Sequence, residues 1–209
     1  MKKHLLILLI FSSSIKLYSQ SYTFNTLTNY KSENGFLKEK AVYSNKENDS
    51  YFLVIKKYKN KTTAYLDDLK SLYTHKFKII EDTIGSEETT FQFIYEDSYK
   101  ITDRNIAFTH DFKIVKRDSL SKTVKIITYK NHRKKKIINT AELIIKEAAF
   151  NLFSVFRYSC LHPYEQSKEF SFNENGIVES YRSLDSKQSV SIFLDYIQHI
   201  KEFELRIKS

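Results

Sequence analysis

The stretch NTAELIIKEAAFNLFSVFRY, from Asn139 to Tyr158, carries a sustained helical pattern, and runs that alternate between apolar and polar residues lie on both sides of it. Asn139 is a good helix N-cap, and Glu142 three residues later completes a capping box. Pro163 marks the end of the pattern, because a proline disfavours helical geometry in the residue before it. The stretch therefore predicts one main helix over residues 139–158.

Apolar side chains cover most of the circumference of this predicted helix, which indicates that it is covered on more than one side. One interpretation is that the helix packs against the concave side of a curved sheet and is entirely core. The other is that Phe150, Phe153 and Phe156 line a cavity that holds a lipid or another hydrophobic ligand. Both interpretations are open at the level of the sequence, and the second makes these three phenylalanines the candidate ligand-binding residues.

The rest of the chain has the pattern of antiparallel strands joined by polar turns. Clear pairs are Tyr51 to Tyr58 with Thr62 to Asp67, and Phe112 to Val115 with Thr123 to Tyr129. An Asn-Gly turn at 175–176 predicts a hairpin that joins residues 168–172 to residues 177–181. The side chains expected to form the apolar face toward the helix are Leu53, Ile55, Phe77, Ile79, Phe91, Phe93, Leu194 and Leu205.

The fold class that follows is α+β and mostly β, with no linker or repeat that would divide the chain. We predict a curved antiparallel meander sheet of about ten strands packed on one main helix.

The N-terminus has the three parts of a secretory signal peptide. Lys2 and Lys3 form a basic start, Leu5 to Phe11 is an apolar run too short to span a membrane, and small residues follow. We expect residues 1–20 to be the signal peptide, with cleavage after Ser19 or Gln20, and residues 21–209 to form a single domain. The protein is then exported to the periplasm or secreted, with no transmembrane span in the mature chain.

The charge balance is basic, with 34 Lys and Arg against 25 Asp and Glu and a formal net charge of +9. Three of the lysines lie in the leader, so the mature chain keeps a charge of +6. Its densest cluster is Arg133, Lys134, Lys135 and Lys136, which is either a solvated loop or a contact for an anionic envelope surface. Nucleic acid is not an expected partner, because the chain is exported and has no recognisable nucleic-acid-binding motif.

No residue pattern in the sequence predicts catalysis, a metal or a cofactor. Cys160 is the single cysteine, so it cannot form an internal disulfide, and we expect it to be a small buried hydrophobic residue. The histidines lack metal-ligand spacing, and there is no Gly-rich phosphate loop or Gly-x-Ser-x-Gly motif. The sequence therefore predicts a protein that is not an enzyme.

The Lys2-Lys3 start, the Tyr-Ser-Gln ending of the leader and the abundance of Lys, Asn, Ile and Tyr resemble small secreted proteins of Bacteroidota that have no assigned function. The C-terminal region, an Asn-Gly turn followed by strands ending in Phe203 to Ile207, is also similar to that group. The resemblance covers the two ends of the chain and carries no catalytic motif, so it implies export and no activity.

Two functional hypotheses follow from the sequence. The first is an exported binding module that holds a hydrophobic ligand between the sheet and the helix. The second is a structural or interaction protein of the cell envelope without a small-molecule ligand.

Overall fold

The structure is a computed structural model that describes residues 20–33, 41–58, 61–82, 90–101, 108–161, 170–184 and 190–207. The predicted leader lies outside the described residues, apart from Gln20.

The described residues contain eleven strands and one helix. The helix, α1, spans Phe153–Cys160. The strands are β1 (Gln20–Ser32), β2 (Val42–Asn45), β3 (Asn48–Tyr58), β4 (Lys61–Asp68), β5 (Tyr73–Asp82), β6 (Thr90–Lys100), β7 (Thr109–Arg117), β8 (Ser121–Tyr129), β9 (Ile137–Lys146), β10 (Ile177–Ser183) and β11 (Ser191–Ile207).

All eleven strands belong to one antiparallel sheet with the order β6-β5-β4-β3-β2-β1-β11-β10-β9-β8-β7. Strands that follow one another in the chain pair with each other, and the first strand pairs with the last, for example at Tyr22 and Leu205. The exception is β6 and β7, which are consecutive in the chain but form the two edges of the sheet. The mostly β, antiparallel meander that the sequence predicts is therefore confirmed, as a curved and unclosed sheet.

One half of the sheet, from β11 through β1 to β6, is strongly curled, and we call it the curled half. Its end strands are six inter-strand steps apart, which would separate them by about 29 Å in a flat sheet. The rings of Phe93 on β6 and Phe203 on β11 nevertheless stack with their centroids 6.4 Å apart. The curl encloses an apolar cluster, the inner cluster, formed by Tyr22, Phe24, Tyr51, Leu53, Ala64, Leu66, Phe77, Ile79, Leu205 and Ile207.

Helix α1 lies on the opposite side of β3 from the inner cluster. Phe52 and Val54 of β3 pack with Val155 and Tyr158 of α1, whereas Leu53 belongs to the inner cluster. Successive side chains of a strand point to opposite faces, so β3 is buried on both. The expected apolar face toward the helix is therefore wrong for six residues that pack in or against the inner cluster: Leu53, Ile55, Phe77, Ile79, Phe93 and Leu205.

The prediction of one helix over residues 139–158 is wrong for residues 139–152, and only residues 153–158 of it are helical. Residues 137–146 form β9, which pairs with β8 on one side and with β10 on the other. Ala141, Leu143 and Ile145 are buried and the residues between them are more exposed, which is the period of two of a strand. Leu143, Ile144 and Ile145 are all apolar, and such a run does not distinguish a strand from a helix in the sequence.

The two residues of the predicted capping box have other roles in β9. The side-chain amide of Asn139 donates to Tyr181 Oη at 3.1 Å, and its oxygen accepts from Ser183 Oγ at 3.2 Å. Glu142 lies opposite Lys125 on β8 and opposite Arg182 on β10. Opposite charges that face each other across neighbouring strands stabilise the pairing.

Helix α1 begins where the chain leaves the sheet after β9. Asn151 holds this start, because its Oδ1 accepts the N–H of Phe153 at 3.0 Å and its Nδ2 donates to the Phe172 carbonyl at 2.6 Å. Seven of the eight helical residues are buried. The predicted hairpin around residues 175–176 is wrong, since residues 170–172 are not in a strand and β10 pairs with β9 and β11 instead.

Candidate functional site

The three candidate ligand-binding phenylalanines do not share one environment. Phe153 and Phe156 are 3% and 0% exposed, and both belong to a cluster between α1 and strands β8 to β10. Phe150 precedes the helix, is half-buried against the cluster that contains Phe52, and lies beneath the Lys46 ammonium, 5.0 Å from its ring centroid.

The rings around Phe153 and Phe156 fill the space beside them. Phe153 lies 5.4 Å from Phe170 and 5.9 Å from Phe112 of β7, centroid to centroid. Phe156 lies 5.5 Å from Tyr30 and 5.8 Å from Tyr181. Such distances are those of packed aromatic pairs, which add to the stability of a core.

A surface cleft of about 410 Å³ lies on the sheet near the end of β1, and Tyr181, whose ring contacts Phe156, contributes to its lining. Its polar wall is formed by Glu33, Arg182, Ser180 and Ser191, and Phe193 contributes an exposed ring. None of the three candidate phenylalanines lines it.

The cationic run lies in the loop between β8 and β9, where the residues 132–136 are all exposed. Lys134 has a positive φ of 51° and its Nζ lies 2.5 Å from Asp111 Oδ1 of β7. The hydrogen bond and the charge of Asp111 raise the pKa of Lys134. The structure therefore presents Arg133, Lys135 and Lys136 on the loop surface, while Lys134 is tied to β7.

A second charged group, which the sequence does not single out, surrounds Lys122 of β8. Its side chain is 2% exposed, and its Nζ donates to Glu174 Oε2 at 2.9 Å and to the Asn175 carbonyl at 3.0 Å. Glu147 lies 3.3 Å from the same ammonium, and Arg117 also binds Glu174. The hydrogen bond from Lys122, followed by that from Arg117, lowers the pKa of Glu174. These contacts hold the turn before β10, which contains Glu174 and Asn175, against β7 and β8.

A polar cluster lies at one end of the curled half. The Tyr22 hydroxyl donates to Asp68 Oδ2 at 2.9 Å, and burial together with this bond raises the pKa of Tyr22. Burial by itself would raise the pKa of Asp68, but hydrogen bonds from Ser71, Tyr22 and Lys70 outweigh it and the pKa is lowered.

Next to it, His75 Nδ1 and Ser98 Oγ are 2.6 Å apart, and Tyr95 Oη is 2.5 Å from the same Ser98 oxygen. Burial lowers the pKa of His75, so the ring is neutral near pH 7. A nucleophilic serine needs an imidazole that a carboxylate orients through its other nitrogen. His75 Nε2 has no such partner among the described residues, and Asp68 is already engaged by Tyr22. The cluster therefore has the character of a hydrogen-bonded network that runs from the buried His75 to the exposed Tyr95.

Among the described residues, exposed apolar side chains are gathered on both faces of the sheet at its β6 edge. These side chains, which we call the β6 surface, are 40% to 48% exposed: Tyr73, Ile80, Phe91, Ile94, Tyr95 and Tyr99. They come from β6 and the adjacent β5, which pair along their whole length. The alternation of Phe91, Phe93 and Tyr95 is visible in the sequence, but their position at an edge depends on strand order.

Cys160 is confirmed as a buried residue, in the cluster that contains Phe156. Among the residues that the structure describes, no three His, Cys, Asp or Glu side chains are grouped as metal ligands. No helix in the described ranges is both long and apolar enough to cross a membrane. In comparisons of sequence and fold, no family model, curated protein or solved structure matches the chain.

Proposed function

We propose that the protein is an exported interaction module, in which the helix is core and the β6 surface contacts another protein chain. The observation that carries this proposal is the distribution of aromatic residues. Phe153 and Phe156 are packed among other rings, whereas the β6 edge of the sheet exposes six large apolar side chains, three on each face. Exposed apolar groups gathered along an unpaired edge strand are typical of contact sites, whereas scattered ones are ordinary.

The test is the substitution Phe153→Lys, combined with organic extraction of protein purified without detergent and mass spectrometry of the extract. A charge placed among Phe112, Phe156 and Phe170 has no partner and no water, so the substitution is expected to unfold the domain. Ser171→Lys, at an exposed position nearby, is the matched control and leaves the fold unchanged. The extract of the parent protein should contain no stoichiometric lipid.

A stoichiometric lipid in the parent extract would overturn the proposal, whether or not Phe153→Lys folds, because the curled half lies on the other side of β3 from α1. The function would then be that of a carrier for a hydrophobic ligand. The observation that favours this second candidate is the curled half itself, where Tyr43, Ile55, Phe93 and Phe203 are only partly buried around the inner cluster. A curved sheet with partly buried aromatic rings is the kind of surface that an apolar ligand can complete.

The cationic loop supports a second contact, with an anionic surface of the envelope. Replacement of Arg133, Lys134, Lys135 and Lys136 by Gln should weaken binding to vesicles of anionic lipid at low salt, because each cation contributes about 1 kcal/mol near such a surface. Vesicle cosedimentation at low and high salt measures this binding. The control variant removes four exposed lysines dispersed over the sheet: Lys70, Lys78, Lys113 and Lys201. Equal loss of binding in both variants would show that net charge, and not the loop, is responsible.

A further inference from the structure

The two edges of the sheet differ in how they are protected against pairing with another strand. Natural edge strands are usually blunted by charged residues, above all lysine, or by bulges. Edge strand β7 carries the exposed cations Lys113, Lys116 and Arg117 within nine residues. It also has a bulge between Ile114 and Lys116.

Edge strand β6 is protected over only part of its length. Its charges are Glu96, Asp97 and Lys100, and its bulge lies at Glu96. Phe91 to Tyr95, with the sequence FQFIY, contain no charge, proline or glycine and consist mainly of residues with high β-propensity. No described strand pairs with the outer side of this segment. An uncharged, aromatic edge of this kind is a template for another strand.

We propose that β6 pairs with β6 of a second copy of this chain, in an antiparallel arrangement about a two-fold axis. This rests on the proposed function and names the partner of the β6 surface. The charge pattern favours a second copy joined at β6. In that arrangement the uncharged segment Phe91 to Tyr95 of one copy pairs with the same uncharged segment of the other. Pairing of this segment with β7 would instead bury it against three cations. Two-fold interfaces of this type are closed, so assembly stops at the dimer.

The symmetry also fixes the register. A two-fold axis perpendicular to the sheet places one residue opposite its own copy, and side chains that face each other lie on the same side of the sheet. With Phe93 on the axis, Phe91 lies opposite Tyr95 of the second copy, and Gln92 lies opposite Ile94. Every residue from Phe91 to Tyr95 then faces an uncharged one. An axis at Ile94 would instead place Glu96 opposite Gln92 and Asp97 opposite Phe91.

Sedimentation velocity of the mature protein over a range of concentrations tests the dimer. The parent should sediment with twice the mass of the chain, and Ile94→Lys should raise the dissociation constant at least about tenfold. The two introduced charges are then diagonal neighbours across the axis, about 7 to 8 Å apart, and repel each other. Val115→Lys on β7 is the matched control, since Val115 is 49% exposed and Ile94 is 40% exposed. It should leave the dimer unchanged. A parent that is monomeric at every concentration, or a dimer that only Val115→Lys dissociates, overturns the proposal.

The register is tested by a disulfide in the double variant Gln92→Cys/Ile94→Cys. Opposite Cα atoms in an antiparallel pair are about 4.5 to 5.5 Å apart, which suits a disulfide. The double variant should therefore cross-link to a dimer under mild oxidation, whereas neither single variant should. Cys160 is buried and does not compete. Equal cross-linking of a single variant, or none in the double variant, overturns the register. Neither outcome bears on lipid extraction, so failure of the dimer is distinguishable from failure of the proposed function.

Discussion

At the scale of single residues, Gly176 joins the turn after α1 to β10 and has a backbone conformation that other residues rarely adopt. Its φ is 144°, its N–H donates to the Phe150 carbonyl at 3.0 Å, and its carbonyl accepts from the Leu152 N–H at 2.9 Å. A Cβ added here would lie 2.6 Å from Ile145 Cγ2 and 2.7 Å from the Lys146 carbonyl oxygen. The glycine is thus required for the close approach of the turn before β10 to β9.

Gly176→Ala should therefore lower the free energy of unfolding by about 2 to 5 kcal/mol, from backbone strain and from the clash with β9. Denaturant unfolding measures the change. Asn173→Ala, at an exposed position in the same turn, is the control and should change stability by less than about 0.5 kcal/mol. If the two variants unfold at the same midpoint, the contact between Gly176 and β9 is not as close as described.

His110 of β7 is a second residue whose environment is set by distant parts of the chain. Its ring meets Phe170 edge-on at 4.7 Å, and Nδ1 lies 3.0 Å from Thr128 Oγ1. Burial lowers the pKa of His110 from 6.5 to about 4. Between these two pH values the unfolded chain binds a proton at this histidine that the folded chain does not. The free energy of unfolding is therefore highest above pH 6.5 and falls as the pH is lowered toward 4.

We expect this histidine to cost about 1 to 2 kcal/mol of stability on acidification across that window, after allowance for screening at a partly exposed ring. His110→Gln should flatten the dependence of unfolding free energy on pH between 6.5 and 4. His132→Gln, in the exposed loop, is the control and should leave the parent profile unchanged. Burial also lowers the pKa of His75, so His75 adds to the loss of stability at acidic pH. This residue is present in both variants. Identical profiles for both variants would contradict the burial of His110.

At the scale of elements, β9 shows why a helical pattern became a strand. Its apolar residues fit either period, Ala141 and Glu142 are good helix formers, and Asn139 with Glu142 forms the apparent capping box. Pairing with two neighbouring strands satisfies the backbone of β9, and long-range pairing of this kind overrides local propensity. Only Phe153–Cys160, beyond the last pairing partner, remain helical.

The strand geometry of β9 predicts alternating effects along three consecutive residues. Leu143→Ala and Ile145→Ala should each cost about 2 to 5 kcal/mol, because both side chains are almost completely buried. Ile144→Ala, between them and half-buried, should cost less than half as much. Thermal or denaturant unfolding of the three variants provides the measurement. A large loss at Ile144 as well would favour a helix covered on several sides.

At the scale of the whole molecule, local patterns predicted the strand pairs but not how the two ends of the chain pair or how the sheet curls. The pairs β3 with β4 and β7 with β8 follow from alternation and short turns, and both are present. The pairing of Tyr22 with Leu205 joins the two ends of the chain and has no local signal. The side of the sheet on which α1 packs depends on the curl, and the exposure of the β6 surface depends on the break between β6 and β7.

The candidate site was predicted only in part, because it too depends on features that local patterns do not show. The sequence identified Phe150, Phe153 and Phe156 as one apolar group, since residues three apart share a helix face. The start of α1 at Phe153 places Phe150 outside the helix and removes it from that face. The β6 surface was not identified, because alternating aromatic residues look alike in central and edge strands.

The central claim is that α1 is packed core and that contacts with another chain are made at β6. Amide hydrogen exchange of the mature protein at low and high concentration tests it most directly. We expect residues 153–160 to be among the most slowly exchanging at both concentrations, and residues 91–95 to become protected only at the high one, while β7 stays unchanged. Fast exchange throughout α1, or exchange in β6 that does not respond to concentration, would contradict it.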